Sequence, residues 1–240
     1  MLKKIDGVVR EFGLGAGMLY LLDRALRALP GRCGLYVYEM MVQPTAGKAL
    51  LPERLARNIS FREIEADDPV VQRMPARPEI KDARYARGAR CLGVERKGEL
   101  LGYIWLSFDA YEEDEVRCTY CLPQRQDSGL DSVFDFDLYV FPEHRMGIAF
   151  VAIWHAASAY LRGLGVRGSH SRMTRFNLAS RRAHLRLGSV VTGRAVFLQL
   201  GAVECMASTL HPFVALTWSP SRRVRLRLPA LPMAAEDGAA

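Results

Sequence analysis

The sequence predicts an α/β fold. Three observations carry the expectation: a hairpin pattern at 89–108, a strand–turn–helix unit at 134–165, and a capped helix followed by further strands at 177–200. Periods of two and of three to four residues alternate along the chain, as they do where strands and helices share one core. With 240 residues, half of them hydrophobic and a quarter charged, there is material for one sizeable core.

Taken in order, residues 1–29 place Ile5, Val8, Val9, Phe12, Leu19, Leu22, Leu26 and Leu29 mostly three or four apart. That spacing predicts an amphipathic helix, broken near Gly13–Gly17 and ended by Pro30-Gly31. Gly13, Gly15 and Gly17 imitate a nucleotide fingerprint but lack the preceding strand it needs. Leu35–Val42, rich in Tyr and Val, reads as a strand, and Pro44, Gly47 and Pro52 mark a loop after it. Residues 1–58 are therefore expected to form an extension of helix, strand and loop, with the compact domain over 59–228.

Within that domain, Cys91–Val94 and Leu101–Leu106 flank Lys97-Gly98-Glu99 as the arms of a hairpin. Tyr111–Asp114 reads as an acidic connector and Pro123–Gly129 as a polar loop. Phe134–Phe141 alternates apolar residues with Asp135 and Asp137, as a strand in a half-polar cleft would, and stops at Pro142. From Gly147, the residues Phe150, Ile153, Trp154, Ala157, Leu161 and Leu164 keep helical spacing until Gly165. Gly168–Arg175 is a short strand, Asn177 caps a helix through Leu187 that Gly188 ends, and Val190–Leu200 supplies the last strands around Gly193. The Ala- and Pro-rich segment 229–240 reads as a disordered tail.

A formal net charge of +7 points to an anionic partner: nucleotide phosphates, an anionic membrane surface or nucleic acid. No helix-turn-helix, zinc-finger or RNA-binding signature accompanies the charge, which disfavours nucleic acid. The five cysteines, Cys33, Cys91, Cys118, Cys121 and Cys205, are odd in number and irregularly spaced, so they read as reduced thiols. Cys118 and Cys121 form a CxxC without the second ligand pair of a zinc site, and no metal is expected. The longest apolar run, Leu14–Leu22, falls short of the roughly 20 residues that span a bilayer. Asp6, Arg10 and Glu11 follow Lys3 and Lys4 before any signal-type apolar stretch, so a cytoplasmic chain is expected, with peripheral contact at the inner membrane face left open.

The most informative stretch is Leu138-Tyr-Val-Phe-Pro-Glu-His-Arg-Met-Gly-Ile-Ala149, because a strand, turn and helix start aim main-chain N–H groups at one point. Such a point holds phosphate, and Gly147 and Ala149 leave it room. The stretch resembles the acyl-CoA signature of the GNAT (Gcn5-related N-acetyltransferase) family, Q/R-x-x-G-x-G/A, over His144, Arg145, Met146, Gly147, Ile148 and Ala149, with His144 replacing Gln or Arg. Asn177–Gly188 is similar to the family's N-x-x-A/S-x-x-x-Y-x-x-x-G helix, with His184 for its Tyr and Ser189 for the Phe after its glycine.

The resemblance spans about 60 to 200 and implies a GNAT-type mixed, mostly antiparallel twisted sheet flanked by helices. It also implies an N-acyltransferase, in particular an N-acetyltransferase, that moves an acyl group from acetyl-CoA or another acyl-CoA to an amine by direct attack on the thioester. The acceptor would be a small-molecule, sugar or lipid amine. By the same resemblance, Leu138, Tyr139 and Val140 would polarise the thioester carbonyl through their main chain, His144–Ala149 with Asn177 would bind the donor, and Arg145 would touch its pyrophosphate. His184 would protonate the departing thiolate. Amide formation needs a base near the amine, and Asp135 is the favoured one, with Asp137, Glu113, Glu115 or a relay of water as alternatives. Two other functions stay open: a long-chain N-acyltransferase fed by an acyl carrier protein, and a noncatalytic acyl-CoA-binding module, which the departures at His144, His184 and Ser189 allow. A homodimer is also left open.

Overall fold

The structure, a computed structural model, describes residues 10, 12–45, 49–123 and 131–231. Ile5, Val8 and Val9 of the expected helix, Gly47, most of the expected polar loop and the tail from 232 lie outside the described residues. In chain order the elements are α1 (Leu14–Leu26), β1 (Cys33–Pro44), the single turn α2 (Glu53–Ala56), β2 (Ile59–Ile64), α3 (Pro78–Ala86), β3 (Arg90–Arg96), β4 (Glu99–Ser107), β5 (Tyr111–Glu112) and β6 (Cys118–Cys121). They continue as β7 (Ser132–Val140), α4 (Ala149–Gly163), β8 (Gly168–Thr174), α5 (Leu178–Arg186), β9 (Val190–Leu200), β10 (Val203–Ser208), β11 (Val214–Thr217) and β12 (Val224–Arg227).

The elements fall into two compact units that interleave along the sequence. One is drawn from the chain up to Val42, Ala110–Cys121 and Arg172–Pro229; the other from Gln43–Asp109 and Leu122–Ser171. The boundary expected at 58/59 falls inside the second unit. Strand β1, assigned from sequence to an extension, pairs along its length with the late strand β9, from Cys33 opposite Leu200 to Val42 opposite Val190.

The second unit carries the strand–turn–helix motif. Its strand order is β8-β7-β4-β3-β2, all antiparallel except the pair β7–β8. Lys97 and Gly98 join β3 to β4 with φ of 54° and 82°, the two positive values that a type I′ hairpin demands. Helix α4 buries Ala149, Ala152, Ile153, Ala156, Ala157 and Leu161, an apolar stripe at helical spacing, and packs on β4, β3 and β2. It ends where Gly165, at φ 76°, lets Val166 donate back to the Leu161 carbonyl at 2.9 Å. Gly102 of β4 is required by this packing, because a Cβ there would collide with the Tyr139 carbonyl oxygen and the Ile153 side chain. A cluster of Ile64, Val71, Met74, Cys91, Tyr103, Trp105 and Phe141, with Phe136 and Tyr139 against it, forms a core of this unit.

The first unit has one antiparallel sheet of order β11-β10-β9-β1 and a small sheet β12-β6-β5. Helix α1 begins after Gly13, at φ 79°, and runs unbroken through Gly15 and Gly17, so the expected break is confined to one residue. Asp23 of α1 accepts the Leu35 N–H at 2.9 Å and pairs with Arg27 at 2.8 Å, which ties the helix to the start of β1. Beyond Val190–Leu200, expected to hold several strands, the chain makes one continuous β9 and three further strands that the sequence pattern did not reveal.

Buried charges also organise this unit. Glu39, 1% exposed, takes Arg175 at 3.0 Å and Arg181 of α5 at 2.5 Å. Glu113, also 1% exposed, takes Arg172 in a bidentate pair at 2.5 and 2.7 Å. The expected acidic connector is thus a short strand followed by a buried ion pair, and a carboxylate held on both oxygens is a poor candidate base. Glu115 accepts the Tyr38 hydroxyl at 2.6 Å. Cys118 and Cys121 sit three apart in β6, where odd spacing sends side chains to opposite faces, and both are free thiols.

Candidate functional site

Strand β7 is held differently on its two edges. Towards β4 it pairs from Phe134 to Val140, while towards β8 the parallel ladder covers only Ser132–Asp135 against Gly168–Ser171. The β4 ladder also skips a residue at this point: Trp105 faces Asp137 and Leu106 faces Asp135, leaving Phe136 as the extra residue of a bulge. From Phe136 to Val140, one edge of β7 is therefore released from the ladder with β8.

The direction of each main-chain group follows from one contact. Phe141 donates its N–H to the Leu101 carbonyl at 3.1 Å, and edge direction alternates along a strand, so Tyr139 is turned towards β4 while Leu138 and Val140 face the released edge. Of the three residues expected to polarise a carbonyl, Leu138 and Val140 turn their main-chain groups to the released edge. The Tyr139 N–H points the other way, a correction that the alternation of the strand imposes.

After Val140 the chain makes one 3-10 turn, Pro142–His144, and enters α4 at Ile148 with no side chain capping the helix. The first backbone bond into the helix is Ala152 N–H to the Ile148 carbonyl at 2.8 Å, so the intrahelical ladder begins at Ala152 and the helix N-terminus lies just after Gly147. Gly147 has room for a Cβ, 3.6 Å from the His144 carbonyl oxygen, and a φ that any residue can adopt. The fold does not require glycine here. Its smallness leaves space over the helix start.

His144, Met146, Gly147, Ile148 and Ala149 line a cavity of about 320 Å³ together with Arg96, Leu101 and Glu143. Arg96 stands at the end of β3, its Nε buried without a hydrogen-bond partner among the described residues, and it supplies a fixed positive charge to this cavity. No sequence signal marked it. His144 Nε2 lies 3.7 Å from Glu99 Oε1, and Glu143 pairs with Arg73 at 3.3 Å. Arg145 is exposed; its Nε donates to the Val140 carbonyl at 3.2 Å and its guanidinium lies over the Tyr139 ring. That places a cation on the released edge of β7, beside the turn.

Asp135 sits at the last rung of the β8 ladder and is 5% exposed. Ser169 Oγ donates to its Oδ1 at 2.5 Å. Burial disfavours the carboxylate more than that hydrogen bond and a main-chain N–H favour it, and raises the pKa to about 7. Asp137, the alternative base, is committed to Arg84 at 2.7 Å, a cation that also lies over Trp105 and Phe136.

The second unit thus brings together Asp135, Leu138, Tyr139, Val140 and the turn His144–Ala149. Asn177 and His184 belong to the first unit, at the cap and in the last turn of α5. Asn177 Oδ1 accepts the Ser180 N–H at 3.1 Å, so its side chain serves the helix cap. His184 is 4% exposed, and burial lowers its pKa to about 4. At neutral pH it carries no imidazolium proton, contrary to the role expected of it.

No protein-family model matches the chain, and no curated protein matches it. Among solved structures it is similar to a functionally unknown conserved protein from Staphylococcus epidermidis, at 16% identity over 73% of this chain and 64% of that one, with a TM-score of 0.46. It is similar to a tandem GNAT protein from the clavulanic acid biosynthesis pathway at 16% identity over 74% of this chain and 55% of that one, TM-score 0.43. A GCN5-related N-acetyltransferase from Ralstonia eutropha matches at 18% identity over 54% of this chain and 91% of that one, TM-score 0.35. The chain spans less than two thirds of the length of the first two. It is similar, at low identity, to solved structures described as a tandem GNAT protein and as a GCN5-related N-acetyltransferase.

Proposed function

We propose that the chain is a GNAT-type acyltransferase that moves an acyl group from acyl-CoA to an amine, with the donor held along the released edge of β7 and at the start of α4. The observation that supports this most is the continuity between the two features: an edge freed from its ladder after Asp135 leads through one turn into an uncapped helix start. Free strand N–H groups suit the amide-bearing pantetheine arm, and the helix N-terminus suits the pyrophosphate. Arg145 and Arg96 add positive charge beside that point.

In the reaction, the amine nitrogen attacks the thioester carbonyl carbon, the C–S bond breaks and CoA leaves as a thiolate. The amine nitrogen gives up a proton and the thiolate gains one. Leu138 and Val140 N–H groups would stabilise the oxyanion, and Asp135, ionising at about 7, would accept the amine proton directly or through water. His184 is neutral and enters no step.

Isothermal calorimetry with CoA and acetyl-CoA tests the donor site. The wild type should bind both, and Gly147→Glu should lose binding through charge repulsion while melting like the wild type, since the fold has space at this position. Release of free CoA in the presence of acetyl-CoA and a panel of amines then tests transfer. A wild-type chain that binds neither CoA nor acetyl-CoA sinks the reading.

A further inference from the structure

We propose that α1 lies on an anionic membrane surface through the ridge formed by Leu14, Met18 and Leu22. These residues are four apart, each 40° further round the helix than the last, so they form one narrow stripe. They are 67%, 61% and 48% exposed, and Leu29, 51% exposed, continues the apolar surface beyond the helix. The opposite side of α1 is where the helix docks: Ala16, Gly17 and Asp23 are buried, and Asp23 holds the Leu35 N–H. The docking fixes which side is turned out, and that side is apolar.

Charge selects the occupant. Asp23 is the only acidic side chain of Leu14–Leu26, and it is buried against Arg27. Arg24 in the helix and Arg10 just before it are exposed and have no ion pair among the described residues. An apolar ridge on a helix whose one unpaired exposed charge among the described residues, Arg24, is basic, with Arg10 just before it, matches the boundary between acyl chains and anionic headgroups. A second copy of the chain on the same ridge would set these arginines near their own counterparts. With 13 residues, α1 is far too short to cross a bilayer, and no described helix is long and apolar enough to do so. The inference does not depend on the proposed acyl transfer.

Flotation of the full chain with vesicles of equimolar phosphatidylcholine and phosphatidylglycerol, beside vesicles of phosphatidylcholine alone, tests it. The wild type should float with the anionic vesicles only and be released as salt is raised. Changing the ridge together, Leu14→Gln, Met18→Gln and Leu22→Gln, should lower partitioning roughly a hundredfold with melting unchanged, because the side chains are exposed. Arg10→Gln with Arg24→Gln should lower it roughly tenfold or more. Wild-type chain left at the bottom of the gradient, equal flotation with both vesicle types, or undiminished flotation of the ridge variant would overturn the proposal. So would light scattering that shows a dimer dissolved by the ridge variant while flotation is unaltered.

Discussion

Asp135→Asn separates two demands placed on one side chain. Moving the carboxyl from its ordinary 3.8 to about 7 means that the folded protein disfavours the ionised form by on the order of 4 kcal/mol relative to water. For an acid with a raised value, the unfolded chain ionises first. Wild-type stability from this group is therefore intact below about 3.8, falls as pH rises to about 7, and is flat above. Asparagine has nearly the same shape, can still accept from Ser169, and does not titrate. In urea titrations the variant should change little relative to the wild type at the acid end of that window, and become more stable than it, by a few kcal/mol, at pH 8. The same substitution should lower kcat by roughly a hundredfold or more if Asp135 takes the amine proton, and should abolish a rise in rate centred at about 7. A stability difference between variant and wild type that is independent of pH would refute the argument from burial. Wild-type kcat in a variant stabilised at pH 8 would leave the titration standing and remove the catalytic role.

Other substitutions test other parts of the structure. Gly102→Ala should destabilise by about 2 kcal/mol or more in a urea melt, because its Cβ would meet the Tyr139 carbonyl oxygen and Ile153. Glu39→Gln should cost about 1 kcal/mol by the same measurement, since Arg175 and Arg181 lose their counter-charge but are about a third exposed and stay partly solvated. His184→Phe should leave the pH–rate profile above about pH 6 unchanged, because a group with a pKa of about 4 is already neutral there. A wild-type rate that falls above pH 6.5, with the fall missing from the Phe variant, would restore His184 as an acid.

The local devices were legible in the sequence and the distant ones were not. Lys97-Gly98 announces its hairpin because few residue pairs tolerate two positive φ values, and Asn177 with Gly188 brackets α5 by cap chemistry that acts within four residues. The turn at His144–Ala149 was readable for another reason, from Pro142 and the signature that the stretch resembles, since no side chain caps α4. Glu113 was misjudged because its sequence neighbours, Glu112, Asp114 and Glu115, suggest a solvated run, whereas its partner Arg172 is remote in the chain. The raised pKa of Asp135 comes from burial, which outweighs the hydrogen bond from Ser169, and Arg96 joins the cavity only once β3 is placed. The short strands β10, β11 and β12 carry four to six residues each, too few for alternation to stand out.

The pairing of β1 with β9 also sets the timetable of folding. As the ribosome extends the chain, Cys33–Val42 emerges long before Val190–Leu200, and it cannot close its ladder until that partner exists. In the interval a segment with Leu35, Val37, Tyr38, Met40 and Met41, all buried in the finished protein, presents an unpaired strand to whatever is nearby. Closing so wide a gap carries a larger loop-closure cost than the neighbouring hairpin of β9 and β10. A chain interrupted before β9 would leave that ladder unmade, and early termination should yield material that aggregates or is degraded.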